Sequence, residues 1–157
     1  MQCYCLFCKT QETSWIVTQL ERYQGLKALS PRIIQRKWIC GKAFEVSHSM
    51  LPGYVFAYVP DGQTPNLRVQ GVIRILNDGL PLVENDLAFA ERLLQLDGTV
   101  GAVKVYREGE RLKIAQGLLS GMEGEIVRVD QRQKRLQLKF EFDGIQRMIW
   151  LGYDVVE

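Results

Sequence analysis

The stretch that decides the fold is Leu51-Pro52-Gly53-Tyr54-Val55-Phe56-Ala57-Tyr58-Val59. Proline followed by glycine is a strong turn signal, because proline presets its own φ and glycine accepts a positive φ. The aromatic and β-branched residues of this stretch predict a β-strand from Leu51 to Val59. Side chains alternate across a strand, so Tyr54 and Phe56 share one face.

The residues before this stretch predict a strand, a helix and a second strand. The first eight residues are apolar and partly aromatic, which is typical of a buried strand. A helix follows, with Thr10 or Thr13 as its cap and Gly25 at its end. Its apolar residues at helical spacing are Ile16, Val17, Leu20 and Tyr23. A further strand is predicted from Arg32 to Ile39, ended by a turn around Gly41.

The residues after Val59 complete a first domain. They predict a loop, a short helix near Asn66 to Gln70, a strand from Ile73 to Leu76, and a longer helix that begins at Asn85 or Asp86. The apolar stripe of the longer helix consists of Leu87, Phe89 or Ala90, Leu93, Leu94 and Leu96. The order strand, helix, strands and helix predicts an α+β fold, an α/β sandwich, over residues 1–98.

The rest of the chain predicts a linker and an all-β domain. Residues 97–108 contain two glycines and no apolar period, so we place the linker at 99–108. Apolar and polar residues alternate most regularly from Arg135 to Phe142, and Asp143-Gly144 predicts a hairpin turn into a strand over Gln146 to Leu151. Two more strands are marked by Leu112 with Ile114 and by Glu125 to Val129. These four marked strands belong to an expected set of five short strands over residues 109–157, which close most readily as a small β-barrel.

Composition and charge narrow the functional classes. No apolar run is long enough to span a bilayer, and the N-terminus lacks the pattern of a signal peptide, so we expect a cytoplasmic protein with no membrane partner. The net charge of +2 is too small to indicate nucleic-acid binding by itself. Residues 128–139, however, hold five basic side chains and the single acid Asp130, and a local basic patch binds phosphate whatever the total charge.

The cysteines do not predict a metal site. Cys3, Cys5 and Cys8 share one predicted strand, so Cys3 and Cys5 face one side and Cys8 the other. Besides these and Cys40, only His48 is available as a strong zinc ligand, and a structural zinc needs four converging ligands. We therefore expect buried free thiols and no stoichiometric metal.

No catalytic constellation is visible either. The chain has one histidine, no phosphate-cradling glycine loop, and no nucleophile and base at a useful spacing. We expect a protein that is not an enzyme and needs no cofactor.

The order of these motifs resembles the NusG family of transcription elongation factors over nearly the whole chain. Residues 51–56, Gln70-Gly71-Val72 and Leu80-Pro81-Leu82-Val83 look like the family's N-terminal (NGN) domain. Gly117 to Gly124, followed by Glu125 to Asp130, resembles its SH3-like KOW barrel, in which paired glycines turn the chain between two strands. Tyr4-Cys5-Leu6-Phe7 and Lys9-Thr10 look closest to the specialised paralogs RfaH and LoaP.

The resemblance implies a monomer that binds the clamp coiled coil of RNA polymerase. The residues that it assigns to this contact are Tyr4, Phe7, Leu51, Pro52, Tyr54 and Phe56. Partly exposed aromatic residues suit such a contact, because they bury a large area at low entropy cost. The alternative is that about half of the set belongs to the core.

The resemblance also implies a nucleic-acid partner, either non-template DNA or an RNA hairpin. Lys9 and Arg22 lie where RfaH-like members touch the displaced DNA strand. The segment from Asp130 to Arg135 resembles the basic turn with which LoaP-like members read RNA. The residues assigned to RNA are Arg128, Arg132, Lys134, Arg135 and Lys139, which we expect to converge at one end of the barrel. A solvated surface turn is the alternative.

Three functions are compatible with these features. The first is a specialised NusG paralog that promotes processive elongation or antitermination at selected operons. The second is a housekeeping NusG that couples polymerase to Rho or to the ribosome; such members carry an aromatic residue where this chain has Leu118-Leu119. The third is a KOW-type RNA-binding protein of ribosome assembly, which polymerase co-purification would separate from the first two.

Overall fold

A computed structural model of the chain describes residues 1–119 and 124–156. By its contacts the chain divides into two compact units. The first unit comprises Met1–Pro31 and Leu51–Gly98, and the second comprises Arg32–Met50 and the chain from Thr99 onward. Within the described residues, no helix combines the length and the apolarity that a membrane crossing requires.

Strands outnumber helices along the described chain. In chain order the elements are β1 (Gln2–Cys8), α1 (Thr13–Gln24), β2 (Lys27–Leu29), β3 (Arg32–Ile39), β4 (Lys42–Ser49), β5 (Tyr54–Val59), β6 (Val72–Ile75), α2 (Glu84–Gln95), β7 (Thr99–Val100), β8 (Val103–Glu108), β9 (Arg111–Gln116), β10 (Glu125–Asp130), β11 (Arg135–Phe142) and β12 (Ile145–Val155). The protein is thus a mixed α/β protein with two described α-helices, besides short 3-10 helices at Thr10–Glu12 and Asn77–Gly79.

The first unit is an antiparallel sheet in the order β2-β5-β1-β6, with a helix packed on each face. Every residue of β5 is buried, which explains why this stretch is apolar without interruption. The face toward α1 holds a cluster of Leu6, Cys8, Ile16, Leu20, Leu26, Ala28, Val55, Ala57, Val59 and Leu67. On the opposite face, Phe56 contacts Phe89 of α2 with ring centroids 6.2 Å apart.

The helix ends follow the sequence signals in part. Gly25 adopts a left-handed φ of 67° and its N–H caps α1, as predicted. Neither Thr10 nor Thr13 caps the start of α1, because the N-cap position is Glu12 and makes no side-chain cap bond. The short helix predicted near Asn66 to Gln70 is wrong, since that segment has no helical structure.

The Pro-Gly turn is fixed by a close approach to β1. Gly53 has a φ of 89°, and its carbonyl accepts a 2.7 Å hydrogen bond from the N–H of Cys8. A Cβ on Gly53 would lie 2.9 Å from the carbonyl oxygen of Cys8 and 3.1 Å from the ring of Phe7. Glycine is therefore required here by conformation and by space.

Replacing Gly53 with alanine should lower the free energy of unfolding by about 2 kcal/mol, since a left-handed φ and a steric clash act together. Gly41 is the matched control: its φ is 78°, but a Cβ added there would meet nothing within 4 Å. Gly41→Ala should therefore cost only about 1 kcal/mol. Urea denaturation of both variants measures the difference, and equal losses would show that the approach to β1 is not tight.

The second unit contains two sheets. A three-stranded sheet has the order β4-β3-β7, and a five-stranded sheet has the order β10-β11-β12-β8-β9. The inner face of the larger sheet includes Leu136, Leu138, Phe142 and Leu151, all fully buried. Within the described residues β10 and β9 are outer strands of this sheet, which fits half of a barrel; closure into a complete barrel stays a prediction.

The second unit differs from the sequence prediction in two ways. The predicted linker at 99–108 contains β7 and β8. Strand β8 lies between β12 and β9 in the five-stranded sheet, and its Val103 and Val105 are buried. Strand β4 was not predicted, and its hairpin with β3 groups by contacts with this unit. Residues 120–123, within the segment from Gly117 to Gly124 that resembles the KOW motif, lie outside the described residues.

Candidate docking and nucleic-acid surfaces

The sheet of the first unit ends in a group of aromatic residues beside an arginine. Phe7 of β1 pairs with Tyr54 of β5, and their ring centroids are 5.1 Å apart. Phe7 also pairs with Arg74 of β6, whose guanidinium lies 5.8 Å from the ring centroid of Phe7. We call Phe7, Tyr54, Arg74 and the exposed Pro52 the aromatic corner. Alternation puts these paired side chains on the face that carries α2.

Helix α2 covers the neighbouring part of the same face. Phe56 and Tyr58 follow Tyr54 at alternate positions of β5 and contact α2: the hydroxyl of Tyr58 donates a 2.6 Å hydrogen bond to the carbonyl of Ala90. Burial raises the pKa of Tyr58, so this hydroxyl keeps its proton and remains a donor. The aromatic corner begins where these helix contacts stop.

The six residues assigned to polymerase docking do not form one surface. Phe56 is fully buried against α2, so its assignment to docking is wrong for this arrangement. Tyr4 lies on the opposite face, packed against the α1 cluster. Leu51 and Tyr54 are nearly buried, at 3% and 6% exposure. Phe7, which is half-buried, and the exposed Pro52 remain accessible.

The two residues assigned to DNA do not converge. Lys9 precedes α1 and Arg22 lies in its last turn, and both are exposed. At a rise of about 1.5 Å per residue, the length of the helix separates them by more than 10 Å. Each is a separate surface cation, and DNA contact by either stays a prediction.

The basic turn between β10 and β11 is organised by its single acid. The Oδ1 atom of Asp130 accepts 3.1 Å hydrogen bonds from the N–H groups of Arg132 and Gln133. Lys134 has a φ of 51°, which lets the chain reverse into β11. Since Asp130 is occupied by the backbone, the exposed side chains of Arg132 and Lys134 extend from an ordered turn.

The five cations assigned to RNA are spread more widely than predicted. Arg135 lies over the ring of Trp150, with its guanidinium 4.7 Å from a ring centroid, and its Nε is 3.8 Å from Asp130. Lys139 lies 3.5 Å from Glu125, at the other end of the hairpin. Lys139 therefore does not converge with the turn, because it lies four positions along β11 from Arg135. Arg128, Arg132 and Lys134 form the exposed part of the group.

Sequence reasoning missed Arg74 and Trp150. Arg74 contacts the ring of Phe7 on the neighbouring strand, and the ring of Trp150 contacts the guanidinium of Arg135 on the neighbouring strand. The pairing of strands is not visible in a local sequence pattern. Their only sequence signal is a position on the less buried side of a strand, exposed for Arg74 and half-buried for Trp150, which is too common to single them out.

The thiols of β1 are buried on both faces of the sheet, as the alternation predicts. Cys3, Cys5 and Cys8 are at most 1% exposed. Burial, with a smaller contribution from Glu91, raises the pKa of Cys3 to about 11, and burial with Glu12 does the same for Cys8. Among the described residues, no three histidine, cysteine or acidic side chains come together as metal ligands; zinc content remains to be measured.

These thiols should resist alkylation in the folded protein. At pH 8 a pKa of about 11 leaves roughly one thiol in a thousand as thiolate for Cys3 and Cys8, and burial blocks access besides. Cys40 is exposed. Mass spectrometry after iodoacetamide treatment should show one adduct in native protein and four in urea. Rapid modification of more than one thiol without denaturant would contradict the buried arrangement.

Together, a unit with two α-helices and a second, all-β unit define a mixed α/β protein in which most strand pairs are antiparallel and the pairs β8–β12 and β3–β7 are parallel. No protein-family model matches the chain, and no curated protein matches it in sequence. Among solved structures, the one described as "Domain interaction in Thermotoga maritima NusG" matches with a TM-score of 0.56 and 18% sequence identity, over 96% of this chain and 93% of that chain. The chain therefore has a NusG-like fold.

Proposed function

We propose that the chain is a regulator of transcription elongation that binds RNA polymerase. The observation that carries this proposal is the NusG-like fold, which extends over nearly the whole length of both chains. The aromatic corner supports it, since it offers an accessible ring and an arginine at the edge of a rigid sheet, and Arg and aromatic residues dominate protein interfaces. The polymerase element that we expect it to bind is the clamp coiled coil.

The finer proposal is a specialised paralog, similar to RfaH and LoaP, that promotes antitermination at selected operons. It catalyses no reaction and acts by bridging the clamp, which disfavours a paused polymerase. Two features favour this over a housekeeping NusG. Leu118 and Leu119 are buried, at 1% and 3% exposure, so neither offers the side chain that housekeeping members use to bind Rho or a ribosomal protein. The ordered turn at Asp130 presents cations suited to RNA.

Genomic occupancy tests this function. The tagged chain should co-purify with RNA polymerase and should occupy one or a few transcribed loci. Occupancy of all transcribed genes would instead support the housekeeping function. Co-purification with ribosomal particles and not with polymerase would overturn both, and would favour a protein of ribosome assembly.

A further inference from the structure

The outer half of the β3–β4 hairpin is exposed along its whole length. Every residue from Arg36 to Glu45 is exposed, although β3 and β4 pair regularly as far as Ile39 and Lys42. We call this segment the ribbon. It exposes Trp38, Ile39 and Phe44, at 69%, 56% and 48%. Large apolar side chains grouped on a two-stranded segment with no core of its own indicate a binding surface.

One face of the ribbon combines two cations with an aromatic ring. Lys37 pairs with Phe44, and Ile39 pairs with Lys42. Residues that pair across antiparallel strands share a face, so these four side chains lie together. We call them the lysine face. It carries two positive charges and no acid.

The opposite face has no comparable charge. Arg36 pairs there with Glu45, and Trp38 pairs with Ala43. One acid opposite one arginine leaves this face neutral. A polyanion is therefore attracted to the lysine face and not to the face of Trp38.

The lysine face carries no guanidinium, hydroxyl, amide or carboxylate group with which to read a base edge. From Lys37 to Phe44 no side chain carries a hydroxyl, an amide or a carboxylate. Lysine contacts phosphate as a point charge, and a phenylalanine ring stacks on any base. The chemistry of this face thus fits a nucleic-acid strand with unpaired bases and no defined sequence.

The base of the ribbon contacts the five-stranded sheet. Gln35 lies on the same side of β3 as Lys37, and its Nε2 donates a 3.0 Å hydrogen bond to the carbonyl of Trp150. The ring of Trp150 holds Arg135. The base of the ribbon is therefore held to the five-stranded sheet at Trp150, the residue whose ring contacts Arg135.

We propose that the lysine face binds single-stranded nucleic acid, with a base stacked on Phe44 and phosphates contacted by Lys37 and Lys42. This is a second contact, separate from the turn between β10 and β11, and it does not depend on polymerase binding. Duplex nucleic acid is not the ligand, because its bases are already stacked on one another.

The test is fluorescence anisotropy of the full-length chain with a short labelled oligothymidylate. Phe44→Ala should weaken binding about 10-fold. Trp38→Ala is the matched control, since it removes a larger and more exposed aromatic residue from the opposite face, and it should leave affinity unchanged. Lys37→Ala with Lys42→Ala should reduce the slope of log affinity against log salt by about 1.4, which corresponds to two phosphate contacts.

Three results would overturn the proposal: equal losses for Phe44→Ala and Trp38→Ala, equal affinity for a duplex of the same length, or no binding of the oligonucleotide by the unaltered chain. The Phe44→Ala effect should persist when Arg128→Ala and Arg132→Ala are also present. If Phe44→Ala weakens binding and the arginine pair does not, the ribbon proposal is supported and the proposed RNA site at the turn is contradicted.

Discussion

Replacing Phe7 with alanine should weaken binding to RNA polymerase about 100-fold while the protein stays folded. Phe7 is the half-buried ring of the aromatic corner, held between Tyr54 and Arg74. A truncated anchor of this kind loses its buried area and leaves the groups around it without their packing partner. Biolayer interferometry with purified polymerase measures the affinity, and thermal denaturation measures the fold.

Trp15→Ala is the matched control for Phe7. Trp15 lies on α1, which packs on the opposite face of the sheet, and it is 45% exposed. Its loss should not change polymerase binding. If both variants bind as the unaltered chain does, the aromatic corner is not the docking surface. If Phe7→Ala unfolds the protein, polymerase binding by Arg74→Glu tests the aromatic corner instead. This variant reverses a charge at the aromatic corner and leaves the ring of Phe7 in place.

Removing both Arg128 and Arg132 should reduce affinity for a structured RNA about 100-fold at low salt, since each arginine is expected to contribute more than 1 kcal/mol. The two side chains are exposed at the hairpin end of β10 and β11, where Asp130 holds the turn in place. The slope of log affinity against log salt concentration should become shallower by about 1.4 to 1.8. Antitermination should be lost with RNA binding, whereas polymerase binding should persist.

Lys104→Ala with Arg107→Ala is the control for charge. Both residues are exposed on β8 of the same unit, so this pair removes the same charge from another place. It should leave RNA affinity nearly unchanged. Equal losses for the two pairs would mean that RNA responds only to net charge, and the turn would then be a solvated surface.

The local sequence pattern correctly predicted elements in which one face is buried and the other is more exposed. Strand β11 has the predicted bounds, because Leu136, Leu138, Phe140 and Phe142 are buried while the residues between them are not. The turn at Asp143-Gly144 is also confirmed, with φ values of 57° and 68°. Strand β4 was missed because both of its faces are largely exposed, so burial imposes no alternation on its sequence.

The candidate sites were predicted less well, because they depend on which face of a strand is covered. Alternation correctly places Tyr54 and Phe56 on one face, but only the position of α2 decides that Phe56 belongs to the core. Sequence proximity and strand alternation predict that Lys139 lies with the turn. Register pairs it with Glu125 at the far end of the hairpin. Long-range packing is not encoded in local spacing.

The proposal that this chain binds RNA polymerase is tested most directly by titrating labelled protein with two forms of the enzyme, one intact and one without the tip of the clamp coiled coil. We predict saturable binding to the intact enzyme and a loss of about 100-fold or more when the tip is removed. Undiminished binding to the truncated enzyme, or no binding to the intact one, would contradict the proposal.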